Sequence, residues 1–219
     1  MDISCLFRHG GFMTAAMGKP SSTSLRERRR EQTRSDLADA GLEIISAEGV
    51  DAVTIDRLAM QAGMSRGTVY AHFEGGRDEV LQEAYRAVSR EVVSTAQRLT
   101  DSATTWRERV MAYARAMVAL TEDHHRGYFY NVAGPALFGS RVERGEGSSA
   151  SLAAIRKELV IAQERGEVDK GADADAISVL LIGCLREGGV EIAREAMKPA
   201  NFLSAFQRLL DGLAPKGPS

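Results

Sequence analysis

The stretch TIDRLAMQAGMSRGTVYAHF, residues 54–73, contains two short helical patterns separated by a single glycine. Ile55, Leu58, Ala59 and Ala62 recur at i, i+3, i+4 and i+7, which puts them on one face of a helix. Thr54 stands where an N-cap belongs, and Asp56 falls in the first turn, where a carboxylate suits the helix dipole. Gly63 ends that helix, because glycine adopts the left-handed conformation that a tight turn between helices requires. Ala59, four residues earlier, is small enough to let a second helix approach. Ser65 caps the second helix, and Met64 and Val69 occupy the two positions of a hydrophobic staple. With Val69 and Phe73 directed to the core, the outward face carries Arg66, Thr68 and His72, with Tyr70 alongside. Such groups can address phosphates and base edges.

The rest of the chain reads as helix. It has 219 residues, 44% hydrophobic and 26% charged, with five prolines and no long β-branched alternation. A chain of this length buries a substantial core in one large domain or two smaller ones. The expected fold is all-α: an N-terminal three-helix, helix-turn-helix domain followed by a C-terminal helical domain. A formal net charge of −2 gives no general attraction to nucleic acid, so any such affinity must be local. Residues 19–34 supply it: Lys19, Arg26, Arg28, Arg29, Arg30 and Arg34 face only Glu27 and Glu31.

Residues 1–23 are expected to be a disordered extension, with Met17 as an alternative start. A first helix should run from the Ser21–Ser24 cluster to Glu48, with Leu37, Gly41, Ile44 and Ile45 inward, and Gly49 beyond its end. The second and third helices are those of residues 54–73, completing a domain over 24–76. A long fourth helix starts near Arg77, with Val80, Leu81, Ala84, Val88 and Val92 as its apolar series, and opens a second domain over 77–213. Thr105 and Glu108 form a capping box for a fifth helix ending near His124. One or two short helices should occupy 128–139, and 139–149 reads as a mobile loop. Leu152, Ile155, Leu159 and Ala162 then form a helix-pair seam over 151–165. Residues 173–195 are apolar nearly all round, so a second copy of the chain is expected to cover one side. Pro199 opens a last helix with Phe202, Leu203, Phe206, Leu209 and Leu210 inward, before a disordered tail at 214–219.

Several chemistries find no support. Cys5 and Cys184 suggest neither a disulfide framework nor a metal spacing, and fit a reducing cytoplasm. The longest apolar run, 176–185, is too short for a bilayer, so no membrane partner is expected. Adjacent His124 and His125 point about 100° apart on a helix, whereas zinc sites favour i, i+4 pairs or cysteine partners. No metal and no other cofactor are expected. No nucleophile with a base at usable spacing and no phosphate loop appear, so an enzyme is not expected.

Residues 54–73, with the following RDEVLQEAY, resemble the tetracycline-repressor (TetR) family of bacterial transcriptional regulators over about a quarter of the chain; the remainder matches in helix number and size. The resemblance implies a three-helix DNA-binding domain, a helical effector-binding domain, a homodimer built on the last long helices, and release of a DNA operator by a small molecule. Thr54 matches a phosphate-contacting residue; Ser65, Arg66, Thr68, Tyr70 and His72 fall on the third helix where it meets phosphates and the major groove; and Arg77 resembles a backbone-anchoring residue. Here the basic residue and the apolar pair behind it come one position later than in the common pattern. Arg28 and Arg30 are candidates for phosphate contact or a minor-groove arm. Trp106, Met111, Tyr113, Met117, Tyr128 and Phe138 are candidates to line an effector pocket for an apolar or aromatic compound. Leu152, Ile155, Leu159, Ile177, Leu181 and Leu185 are candidates for dimerisation. The expected function is a ligand-responsive repressor on a near-palindromic operator. The alternative is a helical protein-interaction module without a DNA role.

Overall fold

The computed structural model describes residues 24–138 and 146–215, and no strand occurs among them. The expected extension at 1–23, loop residues 139–145 and tail residues 216–219 lie outside the described residues.

Helix α1, Leu25–Glu48, begins at a reciprocal cap: the Ser24 hydroxyl accepts from the Glu27 amide at 3.2 Å, and the Glu27 carboxylate accepts from the Ser24 amide at 2.7 Å. Its first two turns are exposed, and its second half buries Leu37, Gly41, Ile44 and Ile45. Gly49, at φ 86°, turns the chain into a 3-10 turn, Val50–Ala52. Helices α2, Ile55–Gln61, and α3, Arg66–His72, follow around Gly63 at φ 63°. Leu58, Val69 and Phe73 are fully buried against Leu37 and Ile45 of α1. Burying side chains of this size contributes about 1.5–3 kcal/mol each, so this small cluster fixes the angle between α2 and α3.

Helix α4, Arg77–Asp101, serves both domains. Val80, Leu81, Ala84 and Val88 close the N-terminal cluster, and Ala96 enters the C-terminal one. Helix α5, Trp106–Leu120, starts at the expected Thr105–Glu108 box. It ends at Leu120, earlier than His124, because the Asp123 side chain caps a separate helix, α6, His124–Tyr128. A π-helical turn, Phe129–Ala133, and α7, Gly134–Phe138, complete the expected short elements.

Helix α8, Glu146–Glu164, starts before the expected Ser151, so residues 146–149 are helical where a loop was expected. Packing of a helix's apolar seam outweighs weak local propensity at its end. Asp173 caps α9, Ala174–Ala193, and Pro199 opens α10, Pro199–Asp211. Phe202, Phe206 and Leu210 of α10 are buried as expected, whereas Leu209 is half exposed, since its position turns past the edge of the buried stripe.

The helices assigned to dimerisation need a correction. Ile155, Leu159, Leu181 and Leu185 are buried in the subunit's own core beside Trp106 and Val110, and Leu152 and Ile177 are half buried. One subunit thus covers more of α8 and α9 than their composition suggests. The apolar residues left outward on α9 are Val179 at 50% and Leu180 at 68% exposure, flanked by Ala176 and by Gly183, whose surroundings are open.

Candidate nucleic-acid interface

Two capped helix starts and the outer face of α3 make up one surface. Thr54 accepts the Arg57 amide and caps α2, and Ser65 accepts the Thr68 amide at 3.0 Å and caps α3. The Ser65 and Thr68 hydroxyls lie 2.9 Å apart. Each capped start keeps unpaired amides and a positive dipole end, a setting suited to phosphate. Arg66 is the first residue of α3 and stays 65% exposed. Its Nε lies 3.0 Å from Asp56 Oδ1, on the first turn of α2. Tyr70 is half exposed, against the turn at Gly76. Arg28 and Arg30 are exposed on the first turns of α1.

Two of the expected contact residues are placed differently. Arg77 turns its guanidinium inward: Nε donates to the Val53 carbonyl at 2.7 Å and Nη2 to the Val50 carbonyl at 3.0 Å. The Val50 carbonyl also accepts the Val53 amide at 3.2 Å within the 3-10 turn, and the guanidinium reaches it and the Val53 carbonyl at once. Arg77 therefore staples this turn to α4 and does not stand free for a phosphate. His72 is half buried at the end of α3, with a buried Nδ1 that has no hydrogen-bond partner among the described residues, so its ring does not stand on the open face beside Arg66.

Arg34 is a residue whose role sequence reasoning missed. It lies 4.0 Å over the Phe73 ring, donates to the His72 carbonyl and pairs with Glu79 at 3.3 Å, tying the end of α3 to α1 and α4. The signal was present, since Arg34 precedes Leu37, Ala38 and Gly41 at helical spacing and shares their face.

The expected effector-lining residues do not converge on one cavity. Trp106, Met111, Tyr113 and Met117 are buried in the packing of α5, Tyr128 is exposed, and Phe138 packs edge-on to Tyr85 in the other cluster. Gly188 and Gly189 bring α9 so close that Phe202, Asn131 and Met117 fill the space between helices. An open cleft of about 800 Å³ lies elsewhere, between α1, α4 and α6, lined by Asp39, Glu43, Ser46, Glu91 and Arg126 among others. Beside it, Asp123 accepts from the Ser46 hydroxyl at 2.5 Å, and His125 Nδ1 donates to the Ser46 carbonyl at 2.9 Å. These bonds join α6 to the end of α1.

Residues 37–84, which hold most of α1, all of α2 and α3, and the start of α4, match the family described as "Bacterial regulatory proteins, tetR family". Over those residues the chain is similar to the tetR family. It is 50% identical over 52 residues to the HTH-type transcriptional regulator SrpR of Pseudomonas putida, a match spanning 24% of this chain and 24% of that protein. Beyond the N-terminal domain the likeness is one of fold. A TetR-family regulator from Pectobacterium atrosepticum superposes with a TM-score of 0.72 at 22% identity, covering 87% of this chain and 98% of that one. FadR from Bacillus subtilis, in complex with stearoyl-CoA, gives 0.64 at 17% identity, covering 80% and 96%. The tetR-family segment thus coincides with the cluster that holds α2 and α3, and the helical domain beyond it shares architecture with these proteins.

Proposed function

We propose that this chain is a DNA-binding transcriptional regulator of the repressor type, acting as a homodimer released from DNA by a small apolar or aromatic effector. The observation that carries this is the open face of α3. Ser65, Arg66 and Tyr70 are exposed and Thr68 is half buried beside two capped helix starts, while Val69 and Phe73 beneath them are fully buried. A rigid short helix with polar groups outward fits the major groove, with Arg66 at a base edge and Thr54, Ser65, Arg28 and Arg30 near phosphates. Such a regulator works in the cytoplasm, where the genome is; no helix among the described residues is long and apolar enough to cross a membrane.

A second copy covers the Val179 and Leu180 face of α9 and sets the spacing of two recognition helices, about 34–36 Å or somewhat more, on a near-palindromic site. An apolar effector enters by parting the aromatic and Met-rich packing around α5 and α7, which is closed in this structure, and the stearoyl-CoA complex of FadR is in keeping with an apolar ligand. Effector binding alters α6, whose bonds to Ser46 pass the change to α1, alongside the shared helix α4.

The test is selection of duplexes from a random pool by the purified full chain, followed by titration of selected and scrambled duplexes at several salt concentrations. Enrichment of a near-palindrome, bound far more tightly than the scrambled duplex, is expected. Equal binding of both, or no binding, overturns the proposal. Sedimentation of the Leu180→Glu variant should show monomers where the parent chain shows dimers.

A further inference from the structure

We propose that Asp56 is a positioning residue for Arg66: it pairs with the inner nitrogen of the guanidinium and so aims the outer edge at one base pair. This rests on the reading of α3 as the groove-facing helix. The pairing is specific in its atoms. Asp56 Oδ1 lies 3.0 Å from Nε, and neither Nη1 nor Nη2 makes a hydrogen bond among the described residues. Those two amino groups form the edge that addresses a guanine O6 and N7 together. Arg66 is otherwise free to turn, being 65% exposed at the first position of a short helix. A long side chain loses rotamer entropy when it is fixed against a base, and a carboxylate that restricts it beforehand lowers that cost.

The position of Asp56 is otherwise hard to account for on a surface that receives a polyanion. It is 69% exposed, between the capped starts of α2 and α3, where its charge repels phosphate. The dipole of α2 favours an acidic residue in that turn. That preference places no demand on the distance to Arg66, however, and it acts on stability alone. A positioning role makes a different prediction: loss of the carboxylate weakens discrimination between bases while leaving or strengthening attraction to DNA in general.

The experiment uses the full chain with duplexes selected by it from a random pool, and with variants of the selected site changed one base pair at a time. The parent chain, Asp56→Asn, Arg66→Ala and the double variant are titrated by fluorescence anisotropy at matched salt. Arg66→Ala should abolish the preference at one base pair of each half-site. Asp56→Asn should reduce that same preference by about 1.4- to fivefold, the range corresponding to the measured coupling of exposed ion pairs. Preferences at other base pairs should stay unchanged, and affinity for scrambled duplex should stay level or rise. In the Arg66→Ala background, Asp56→Asn should alter no base preference. A uniform change across all sequences, or the same effect with and without Arg66, overturns the positioning role. A pool that never enriches overturns the DNA-binding reading itself, which separates the two failures.

Discussion

Replacing Arg34 by alanine removes three interactions that meet at the end of α3. The first is a charged hydrogen bond to the His72 carbonyl, a kind that contributes about 1.5–3 kcal/mol. The second is the stacking 4.0 Å over Phe73, for which a partly desolvated cation contributes about 0.5–2 kcal/mol. The third, the 3.3 Å pair with Glu79, is roughly a quarter to a third exposed, and solvent screening reduces it to about 0–1 kcal/mol. Because one guanidinium makes all three contacts, their losses do not add, and a net cost of about 2–3 kcal/mol is expected. For a chain of this size that corresponds to a fall in Tm of about 4–12 °C. Thermal and urea melts at one fixed protein concentration measure it, since a dimer's apparent stability depends on concentration. Arg34→Lys keeps the charge but loses the planar fork, and should lose about half as much. A cost below about 0.5 kcal/mol for Arg34→Ala, or a lysine variant as stable as the parent, refutes the assignment of Arg34 as the clamp of α3.

Arg77→Ala should destabilise the chain by about 1–2 kcal/mol, because the Val50 and Val53 carbonyls lose a shared charged donor, and DNA affinity should fall only as far as the folded fraction does; an affinity loss with an unchanged melt would return Arg77 to the phosphate contacts. Glu108 caps α5 through the hydroxyl and amide of Thr104 and the amide of Thr105, which hold its carboxyl down at about 2. A folded-state value below the unfolded one, about 4.3, means that the cap stabilises fully above that pH and loses its effect as pH falls toward about 2. The stability difference between the parent chain and Glu108→Gln, followed by urea melts across pH, should therefore be constant near neutrality and shrink through this acid window; a difference that grows on acidification contradicts the cap. Gly188→Ala would set a Cβ 2.7 Å from Phe202 Cζ and nearer still to two other ring atoms. The helix-propensity gain of about 1 kcal/mol should be outweighed by overpacking at the upper end of about 1–3 kcal/mol, so the melting temperature should drop; a rise would show that α9 and α10 part easily.

Local chemistry was sufficient to read much of this protein from its residues. Thr54, Ser65, and Thr105 with Glu108 are caps whose effect spans three residues, and Gly63 takes the positive φ that ends a helix. Period-3.6 apolar stripes on α1, α4 and α10 identified their inner faces, apart from Leu209. The outward side of α3 was legible for the same reason: once Val69 and Phe73 are inside, Arg66 and Tyr70 stand outside. Tertiary structure decided what depends on neighbours distant in sequence. An exposed arginine and a stapling arginine look alike in one dimension, and only the approach of the Val50 and Val53 carbonyls turned Arg77 inward, as the Phe73 ring did Arg34. A helix apolar on every side, such as α9, carries no sign of which side its own subunit covers. That Leu181 and Leu185 are inside while Val179 and Leu180 are outside follows from where α5 and α8 lie, and no periodicity along α9 records it.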